Sequence, residues 1–193
     1  MKISPLRILE LNGRYDFISG LSEREMFNPE GTGFDLRVGR VEKIVGPSFL
    51  GVIDRKSAET ELVADIEVDG NKKIILPPGR AYLVRTIESV SLPTEKVKYD
   101  DFFPPAYIQI VICARTSLPR GVLGFHHGRV NPGYHGQLTF AISNNSDQEY
   151  AFELGARMFD IQYEPVIGEI ARVYSGQHQG GRLTSQGKTE TQN

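Results

Sequence analysis

The sequence of 193 residues has one cysteine, no long apolar run and little net charge, and each scarcity excludes a class of protein. The single cysteine, Cys113, rules out an internal disulfide and a cysteine-based zinc cluster, and it favours a reducing, intracellular compartment. No stretch approaches the roughly eighteen apolar residues of a membrane-spanning helix, and the N-terminus lacks a signal-type apolar core. We therefore expect a cytoplasmic protein with no membrane partner.

The formal net charge of −2 creates no general field for nucleic acid or for an acidic membrane surface. Any attraction for a polyanion must then come from a few placed arginines, and we expect no nucleic-acid partner. With 39% hydrophobic residues the chain can bury one sizeable core. No repeat of fixed period is visible, so we predict a single domain over residues 1–193.

Short runs rich in Val, Ile, Tyr and Phe, each broken by Gly, Pro or Asn, fill the chain from Gly31 onward. This texture is typical of an all-β sandwich or barrel. The segment 1–30 is more helical and peripheral, and Ser22 followed by Glu25 has the spacing of a capping box. The segment 176–193 has almost no apolar residues and is predicted to be a flexible tail. The predicted strands lie near 34–41, 61–68, 72–77, 80–87, 107–113, 137–143, 149–154 and 157–163.

Two turns are predicted from residues that tolerate unusual backbone angles. Asp69, Gly70 and Asn71 separate two predicted strands, and these residue types adopt positive φ at low cost. They predict a hairpin that joins 61–68 to 72–77. A second turn is predicted at 144–147.

Residues 114–144 combine a hydroxyl-rich turn, two arginines and a bend rich in Gly and His. Arg115 offers a rigid fork of N–H donors that matches phosphate oxygens, while Thr116 and Ser117 add hydroxyls and backbone amides. Arg120 follows three residues after Ser117. The cluster suits an anion and predicts a phosphate-binding turn.

Six segments, in this order, resemble the successive motifs of the dCTP deaminase and dUTPase superfamily, and the deaminase branch is the closer one. The resemblance implies a distorted β-barrel of jelly-roll type that assembles as a homotrimer. It also implies three active sites at subunit interfaces, each binding a deoxynucleoside triphosphate with Mg²⁺ held through the triphosphate. The segments are GTGFDLRVG (31–39), LPPGRAYLVRTIESVSLP (76–93), ARTSLPRGVLG (114–124), GRVNPGYHGQLTFAISN (128–144), LGARMFDIQYEP (154–165) and YSGQHQGGRLTS (174–185).

The resemblance assigns binding roles to residues of the anion-binding turn and the bend that follows it. Arg115, Thr116 and Ser117 match residues that bind phosphate. Arg120 matches an arginine that helps to hold the catalytic carboxylate and base. Tyr134 matches an aromatic ring that lies against the deoxyribose and excludes a 2′-hydroxyl.

The last motif resembles the mobile segment that closes over the substrate in this superfamily. Gln179, Gly180 and Gly181 match that segment. From there, Arg182 or Lys188 can reach phosphates. These residues, like those of the turn, would serve binding.

The residues at the catalytic positions depart from the pattern of the superfamily. The deaminases have a proton-transferring glutamate after the GY-x-G turn, and the matching residue here is Ala141. An aspartate contacts the sugar in both branches and acts as base in dUTPases, and the matching residue is Asn131. Neither a methyl group nor an amide accepts a proton near neutral pH. Because 114–144 contains no Asp or Glu, no shift of the alignment supplies an acid.

Three histidines, His126, His127 and His135, lie beside these motifs, and histidine is a common general base. One of them is a candidate to replace the missing base, and pairing with neighbours in the hairpin is an equally good interpretation. A metal site is disfavoured, because adjacent strand residues point to opposite faces and no Cys or acid completes a set. The H-x-E and P-C-x-x-C signature of zinc deaminases is absent.

Acidic residues elsewhere are predicted to be structural or solvated. Asp160 stands where the superfamily usually has glutamine. Asp35 belongs to the first motif, where the resemblance implies support of the fold and the interface. The pair Asp100 and Asp101 has no other mark of a metal site.

Three functions remain open. The first is a dCTP deaminase relative that makes dUTP or dUMP with a base from an unexpected position. The second is a dUTPase-like diphosphatase, favoured by the apolar Ala141 and opposed by Asn131. The third is a catalytically impaired or regulatory trimer that binds a deoxynucleotide. The resemblance favours the first, and we take it as the prediction.

Overall fold

The structure is a computed structural model that describes residues 1–125 and 128–192, and its regular elements are mostly strands. The strands are β1 (Ile18–Ser19), β2 (Phe34–Ile44), β3 (Phe49–Leu50), β4 (Asp54–Lys56), β5 (Thr60–Asp65), β6 (Lys73–Leu76), β7 (Ala81–Ser91), β8 (Tyr107–Ala114), β9 (Leu123–Phe125), β10 (Gly128–Val130), β11 (His135–Asn144), β12 (Tyr150–Glu153), β13 (Arg157–Val166) and β14 (Glu190–Thr191). The helices are α1 (Pro5–Tyr15), α2 (Glu23–Phe27), α3 (Ile66–Asp69) and α4 (Ser117–Arg120), and a 3₁₀ turn spans Gln179–Gly181.

The largest sheet has the order β10-β8-β13-β2-β7-β11-β9, with β1 added to β7 and β5 added to β2. All of these pairings are antiparallel. The sheet curls into a half-barrel around the apolar core. The predicted all-β fold, a distorted barrel of jelly-roll type, is therefore confirmed. The homotrimer stays a prediction.

Strand β7 shows how the alternating pattern builds the core. Its inward residues include Val84 and Val90, but also the polar Thr86 and Glu88, all of them buried. Glu88 accepts hydrogen bonds from the backbone N–H and from Nε of Arg37, at 2.9 and 2.7 Å. Burial raises the pKa of the Glu88 carboxyl, and the Arg37 contacts oppose that rise. The pair fixes β2 against β7.

The predicted hairpin at Asp69–Asn71 is wrong, although each predicted strand has a counterpart. Strand β5 ends at Asp65, whose Oδ1 accepts from the N–H of Glu67 at 3.1 Å and begins α3. Strand β5 pairs with β2, while β6 pairs with β12. The β6–β12 pairing sets the buried Ile74 opposite the buried Phe152. A local hairpin would forgo that long-range burial.

The two ends of the chain pack against the barrel. As predicted, Ser22 begins a helix, and its Oγ accepts from the N–H of Glu25 at 3.4 Å. In the C-terminal segment, the backbone N–H of Ser185 donates to Oγ of Ser57 at 2.6 Å, and β14 pairs with β4. The second predicted turn follows β11, where the Asn144 amide donates to the Gln148 carbonyl at 2.8 Å. Flexibility of 176–193 stays a prediction.

Candidate functional site

A cavity of about 480 Å³ is lined by residues of β10, β11 and the C-terminal segment, and we call it the Tyr134 cavity. Most of its lining is apolar, and no Asp or Glu is among the described residues that line it. Cationic side chains come from Arg129 and Arg182. The lining residues are Leu83, Ile112, Gly128, Arg129, Val130, Asn131, Tyr134, Leu138, Thr139, Phe140, Ala141, Tyr174, His178, Arg182 and Leu183.

Tyr134 is held rigidly in the wall of this cavity. It is buried, and its hydroxyl donates to the carbonyl oxygen of Gln137 at 2.6 Å. Its ring lies 5.7 Å from the ring of Tyr174 at an interplanar angle of 60°. Burial, followed by the neighbouring Tyr174, raises the pKa of the Tyr134 hydroxyl to about 12. Tyr134 therefore offers a fixed aromatic surface and cannot act as a base near neutral pH.

The positions of the two missing carboxylates share the Tyr134 cavity, since both Asn131 and Ala141 line it. Thr139 lines it as well, and its hydroxyl oxygen is buried with no hydrogen-bond partner among the described residues. An unsatisfied buried group of this kind costs about 1–3 kcal/mol. A ligand that hydrogen-bonds to Thr139 would recover that free energy.

His178 lines the Tyr134 cavity from the C-terminal segment, although it is not among the site residues predicted from the sequence. Its Nδ1 lies 3.1 Å from the carbonyl oxygen of Arg182. Because a carbonyl oxygen only accepts, this contact places the proton of the neutral ring on Nδ1 and leaves Nε2 as the acceptor. The side-chain nitrogen of Gln177 lies 2.9 Å from Nε2. The one available signal was its position beside Gln179, inside the last motif.

The other histidines lie elsewhere. His135 lines two different cavities together with Ser91 and is not among the residues that line the Tyr134 cavity. His126 and His127 lie outside the described residues. Among the described histidines, His178 is therefore the one that lines the cavity beside Ala141.

The C-terminal segment crosses directly over the GY-x-G turn. Nε2 of Gln179 donates to the carbonyl oxygen of Gly133 at 2.7 Å. Gly180 and Gly181 both have positive φ, of 75° and 76°. A Cβ at Gly136 would lie 2.3 Å from the backbone nitrogen of Gly181, so glycine is required for this approach. The segment covers the turn within its own chain.

Arg182 lines the Tyr134 cavity but is already engaged. Its Nη1 lies 2.6 Å from Oε1 of Glu190. Its Nε donates to the carbonyl oxygen of Thr184 at 3.2 Å. Contact with a phosphate would therefore compete with an existing ion pair.

The predicted phosphate-binding residues line a different cavity of about 380 Å³, which we call the Arg115 cavity. Arg115 is its one cationic lining residue among those described, and three lining residues are carboxylic acids. The cavity is therefore more acidic than the sequence motif suggests. Its lining residues are Glu30, Asp35, Cys113, Ala114, Arg115, Thr116, Ser117, Asp160 and Gln162.

The carboxylate of Asp35, which lines this cavity, contacts three guanidinium groups. Its Oδ2 lies 3.0 Å from Nη1 of Arg115, 3.0 Å from Nη1 of Arg157 and 3.6 Å from Nη1 of Arg24. Burial raises the pKa of the Asp35 carboxyl, Arg115 opposes that rise most strongly, and the nearby Glu25 adds to it. The donor fork of Arg115 is thus partly occupied in the free chain.

Asp160 is half-buried in the Arg115 cavity, so the predicted solvated or structural residue borders the candidate site. Its Oδ1 accepts from Nε2 of Gln162 at 2.7 Å. Burial raises the pKa of the Asp160 carboxyl, the Gln162 contact opposes that rise, and Asp35 adds to it. A Cβ at Gly33 would lie 2.2 Å from Oδ2, so the motif glycine makes room for this carboxylate.

Within one chain the predicted site residues do not form a single site. The predicted phosphate-binding residues Arg115, Thr116 and Ser117 line one cavity, while Asn131, Tyr134 and Arg182 line the other. Arg120 is exposed at the end of α4 and lines neither. A common site would require a second copy of the chain to bring its Arg115 cavity to the Tyr134 cavity.

Metal binding would have to use few protein ligands. In residues 1–125 and 128–192, no three or more His, Cys, Asp or Glu side chains form a group that could hold a metal ion. The oxygens of Asp35 and Asp160 are nevertheless of the type that Mg²⁺ prefers, and they border the predicted phosphate-binding residues. None of the helices in the described part of the chain has the length and apolar character of a membrane span.

Comparison with known proteins connects this geometry to one group of relatives. Residues 18–98 match the family model described as dCTP deaminase-like. The chain is 32% identical over 151 residues to dCTP deaminase of Thermococcus gammatolerans, covering 78% of this chain and 77% of that protein. It is 30% identical over 149 residues to dCTP deaminase of Pyrococcus furiosus, covering 77% and 76%.

Among solved structures, 2′-deoxycytidine 5′-triphosphate deaminase from Agrobacterium tumefaciens superposes with a TM-score of 0.60 at 16% identity. The superposition covers 84% of this chain and 46% of that chain, so this chain spans less than half of its length. At this identity, the likeness establishes the fold alone.

Proposed function

This chain belongs to the dCTP deaminase family, and on that premise we propose that it binds dCTP or a closely related deoxynucleoside triphosphate in cytoplasmic deoxypyrimidine metabolism. The reaction that the family implies is hydrolytic deamination of dCTP to dUTP. The observation that carries the proposal is the Tyr134 cavity, because Asn131, Tyr134 and Ala141 line one space of about 480 Å³. That volume is within the usual range for small-molecule sites.

The sugar and base are proposed to occupy the Tyr134 cavity. The ring of Tyr134 would lie against the deoxyribose, and its bond to the Gln137 carbonyl presets its orientation. The Asn131 amide can hydrogen-bond a 3′-hydroxyl. The unpaired hydroxyl of Thr139 is available to a polar edge of the base. The apolar remainder of the lining would exclude water from the ring.

The phosphates are proposed to meet residues of a second copy of the chain, in a homotrimer with three such sites. Arg115, Thr116 and Ser117 of that copy would donate to phosphate oxygens. Mg²⁺ would arrive on the triphosphate and, when bound, would neutralise phosphate charge beside Asp35 and Asp160. Without that neutralisation, the carboxylates of the Arg115 cavity would compete with the phosphates for its arginine.

Deamination adds the oxygen of a water molecule to C4 of cytosine, breaks the C4–N4 bond and releases ammonia. A nearby group must take a proton from the water and return one to the leaving amine. Ala141 cannot do this, whereas Nε2 of His178 is an acceptor on a residue of the same cavity lining, once the Gln177 amide that lies 2.9 Å from it turns away. Among the described residues, we therefore propose that His178 is the general base. His126 and His127 remain predicted candidates, and Arg120 remains the predicted positioning residue.

The test is incubation of the purified protein with Mg²⁺ and dCTP or dUTP, followed by chromatography of the products. We expect dUTP and ammonia from dCTP, at a rate about 10²- to 10⁴-fold below that of an enzyme with the carboxylate. His178→Gln should abolish that turnover. His135→Gln, the matched control, should retain it because His135 lines other cavities. If no deoxynucleotide binds, the proposal is refuted. If light scattering shows a monomer, the part of the proposal that places the site between two copies of the chain is refuted.

A second candidate is binding without turnover, and the absence of Asp and Glu from the described cavity lining favours it. In that case dCTP and dUTP both survive intact while calorimetry detects binding. Ala141→Glu and Asn131→Asp, singly and together, would then restore turnover if only the carboxylates are missing. Release of pyrophosphate from dUTP would instead identify a diphosphatase.

A further inference from the structure

The β3–β4 hairpin presents two adjacent cations, Arg55 and Lys56, next to the C-terminal segment. They line a cavity of about 330 Å³ together with two serines, Gln177 and two apolar residues of β3, and we call it the Arg55 cavity. No Asp or Glu is among its described lining residues. The cavity is therefore cationic, with amide and hydroxyl groups on its walls.

Arg55 and Lys56 have no acidic partner in the part of the chain that the structure describes. Nε of Arg55 is buried and has no hydrogen-bond partner among the described residues. The acid paired across the strand is Glu190; its Oε1 is engaged by Nη1 of Arg182 at 2.6 Å, while its Oε2 is buried and, like Nε of Arg55, has no hydrogen-bond partner among the described residues. Because neither cation forms an ion pair with the described residues and no described acid lines the cavity, an anion in this cavity would be attracted to the guanidinium and ammonium groups.

The Arg115 cavity provides the opposite setting. Its arginine is bound to Asp35 at 3.0 Å, and Glu30 and Asp160 also line it. These carboxylates compete with an anion for the guanidinium groups at that cavity, whereas no described acid lines the cavity of Arg55 and Lys56. The sequence motif and the electrostatics thus point to different places on the chain.

The Arg55 cavity adjoins the Tyr134 cavity through two consecutive residues. Gln177 lines the first cavity and His178 lines the second. Their side-chain nitrogens lie 2.9 Å apart. The pair Gln177 and His178 therefore contributes to the walls of both cavities.

We propose that Arg55 and Lys56 bind phosphate groups of a nucleotide whose sugar and base occupy the Tyr134 cavity. This anion site lies on the same chain as the Tyr134 cavity, in addition to the Arg115 turn of a second copy. The serine hydroxyls and the Gln177 amide supply further donors. The nucleotide part of the inference rests on the proposed function, while binding of a free polyphosphate does not.

The test is calorimetry on the full chain with inorganic tripolyphosphate, dCTP and deoxycytidine as three separate probes. Arg55→Gln combined with Lys56→Gln should weaken binding of tripolyphosphate and dCTP by about 10- to 100-fold, because charge-assisted contacts are lost. Binding of deoxycytidine should not change. Arg55→Lys alone should retain most of the affinity, since it keeps the charge.

The matched control is Lys73→Gln combined with Arg80→Gln. Both residues are exposed, and neither lines the Arg55 or the Tyr134 cavity. This variant removes the same formal charge and should bind all three probes like the parent chain. Unchanged circular dichroism and melting temperature would show that each variant folds.

Three outcomes separate this inference from the proposed function. Equal tripolyphosphate binding by the parent chain and the Arg55/Lys56 variant would overturn the inference. The inference would also be overturned if Arg115→Gln abolishes dCTP binding while the Arg55/Lys56 variant binds dCTP normally. The proposed function would survive that result. Tripolyphosphate binding that depends on Arg55 and Lys56, with no binding of any deoxynucleotide, would support the anion site and refute the proposed function.

Discussion

The Tyr134 cavity and the Arg115 cavity contain the two halves of one predicted site, and they differ in charge. The first has cationic and apolar lining without a described carboxylate, while the second surrounds its arginine with three carboxylic acids. The motif that most resembles a phosphate-binding turn thus lies in the more acidic setting. An arginine that matches a phosphate-binding motif can bind phosphate only when its N–H donors are not already engaged by neighbouring carboxylates.

The two cavities also differ in what builds their walls. Strand β8, strand β13 and an ion network form the Arg115 cavity, whereas four lining residues of the Tyr134 cavity come from the C-terminal segment beyond β13. That segment is held largely by polar contacts and by close approach to the GY-x-G turn. The Tyr134 cavity should therefore be the more easily opened of the two.

The largest expected effect follows from Gly136→Ala in that turn. The added Cβ would lie 2.3 Å from the backbone nitrogen of Gly181 at a φ of 126°, so the C-terminal segment must move. We expect a loss of about 2–3 kcal/mol in unfolding free energy from strain and overpacking together. Faster proteolysis or amide exchange after residue 176 would report the displacement.

Gly46→Ala is the matched control for Gly136→Ala. Gly46 has a similar φ of 132°, but a Cβ there would meet no atom within 4 Å. It should cost only the strain of the backbone conformation, about 1 kcal/mol, and leave the C-terminal segment protected. Equal losses in the two variants would show that the contact with Gly181 does not hold the segment.

An intermediate effect is expected when Arg115 is replaced by Gln. Asp35 would keep its buried carboxylate but lose the strongest attraction that opposes burial, so the pKa of Asp35 should rise further. We expect a loss of about 1–2 kcal/mol at neutral pH, reduced by the partial exposure of both side chains. The loss should shrink as the pH falls and Asp35 becomes protonated. Urea denaturation at several pH values measures the loss of stability at neutral pH and its decrease at lower pH.

Arg129→Gln provides the corresponding change in the Tyr134 cavity. Arg129 is exposed and forms no ion pair with the described residues. The variant should remain within about 0.5 kcal/mol of the parent chain at every pH. A loss as large as that of Arg115→Gln would contradict the contrast between the two cavities.

An effect smaller than that of Arg115→Gln, and of opposite sign, is expected for Asp160→Asn. Because burial raises the pKa of Asp160 above its ordinary 3.8, the folded state binds this proton more tightly than the unfolded state. That stabilisation is complete below pH 3.8 and is lost as the pH rises through the raised pKa. At neutral pH the variant should therefore be more stable, by less than about 1 kcal/mol. Denaturation curves at acidic and neutral pH would show the gain only at the higher pH, and a loss at neutral pH would refute this account.

Much of the fold could be predicted from the sequence, because alternation of apolar and polar residues directly reports which strand face is buried. Strands β7, β8, β11 and β13 carry that alternation and are found near their predicted positions. The hairpin at Asp69–Asn71 could not be excluded in the same way. Local turn propensity competes there with the long-range pairing of β6 and β12, which no local pattern reveals.

The candidate site shows the same contrast between local sequence patterns, which could be predicted, and long-range contacts, which could not. The sequence identified Asn131, Tyr134 and the missing acid at Ala141, and all three line one cavity. It missed His178 and Arg55, because their relevance depends on where the C-terminal segment lies, and that position is set by contacts between residues more than a hundred positions apart. It also could not place Arg115 beside Asp160.

By itself, the sequence determined the strand pattern, the family motifs and the absence of acids from 114–144, since each is a property of residue type and local spacing. Only the tertiary structure decided that the motif residues divide between two cavities, that Asp35 and Asp160 line one cavity with the predicted phosphate-binding turn, and that Arg55 forms no ion pair with the described residues. The physical reason is that electrostatic interactions act through space, between strands that are distant in sequence. The sequence specifies which charged residues are present, but folding determines which charges lie close to one another.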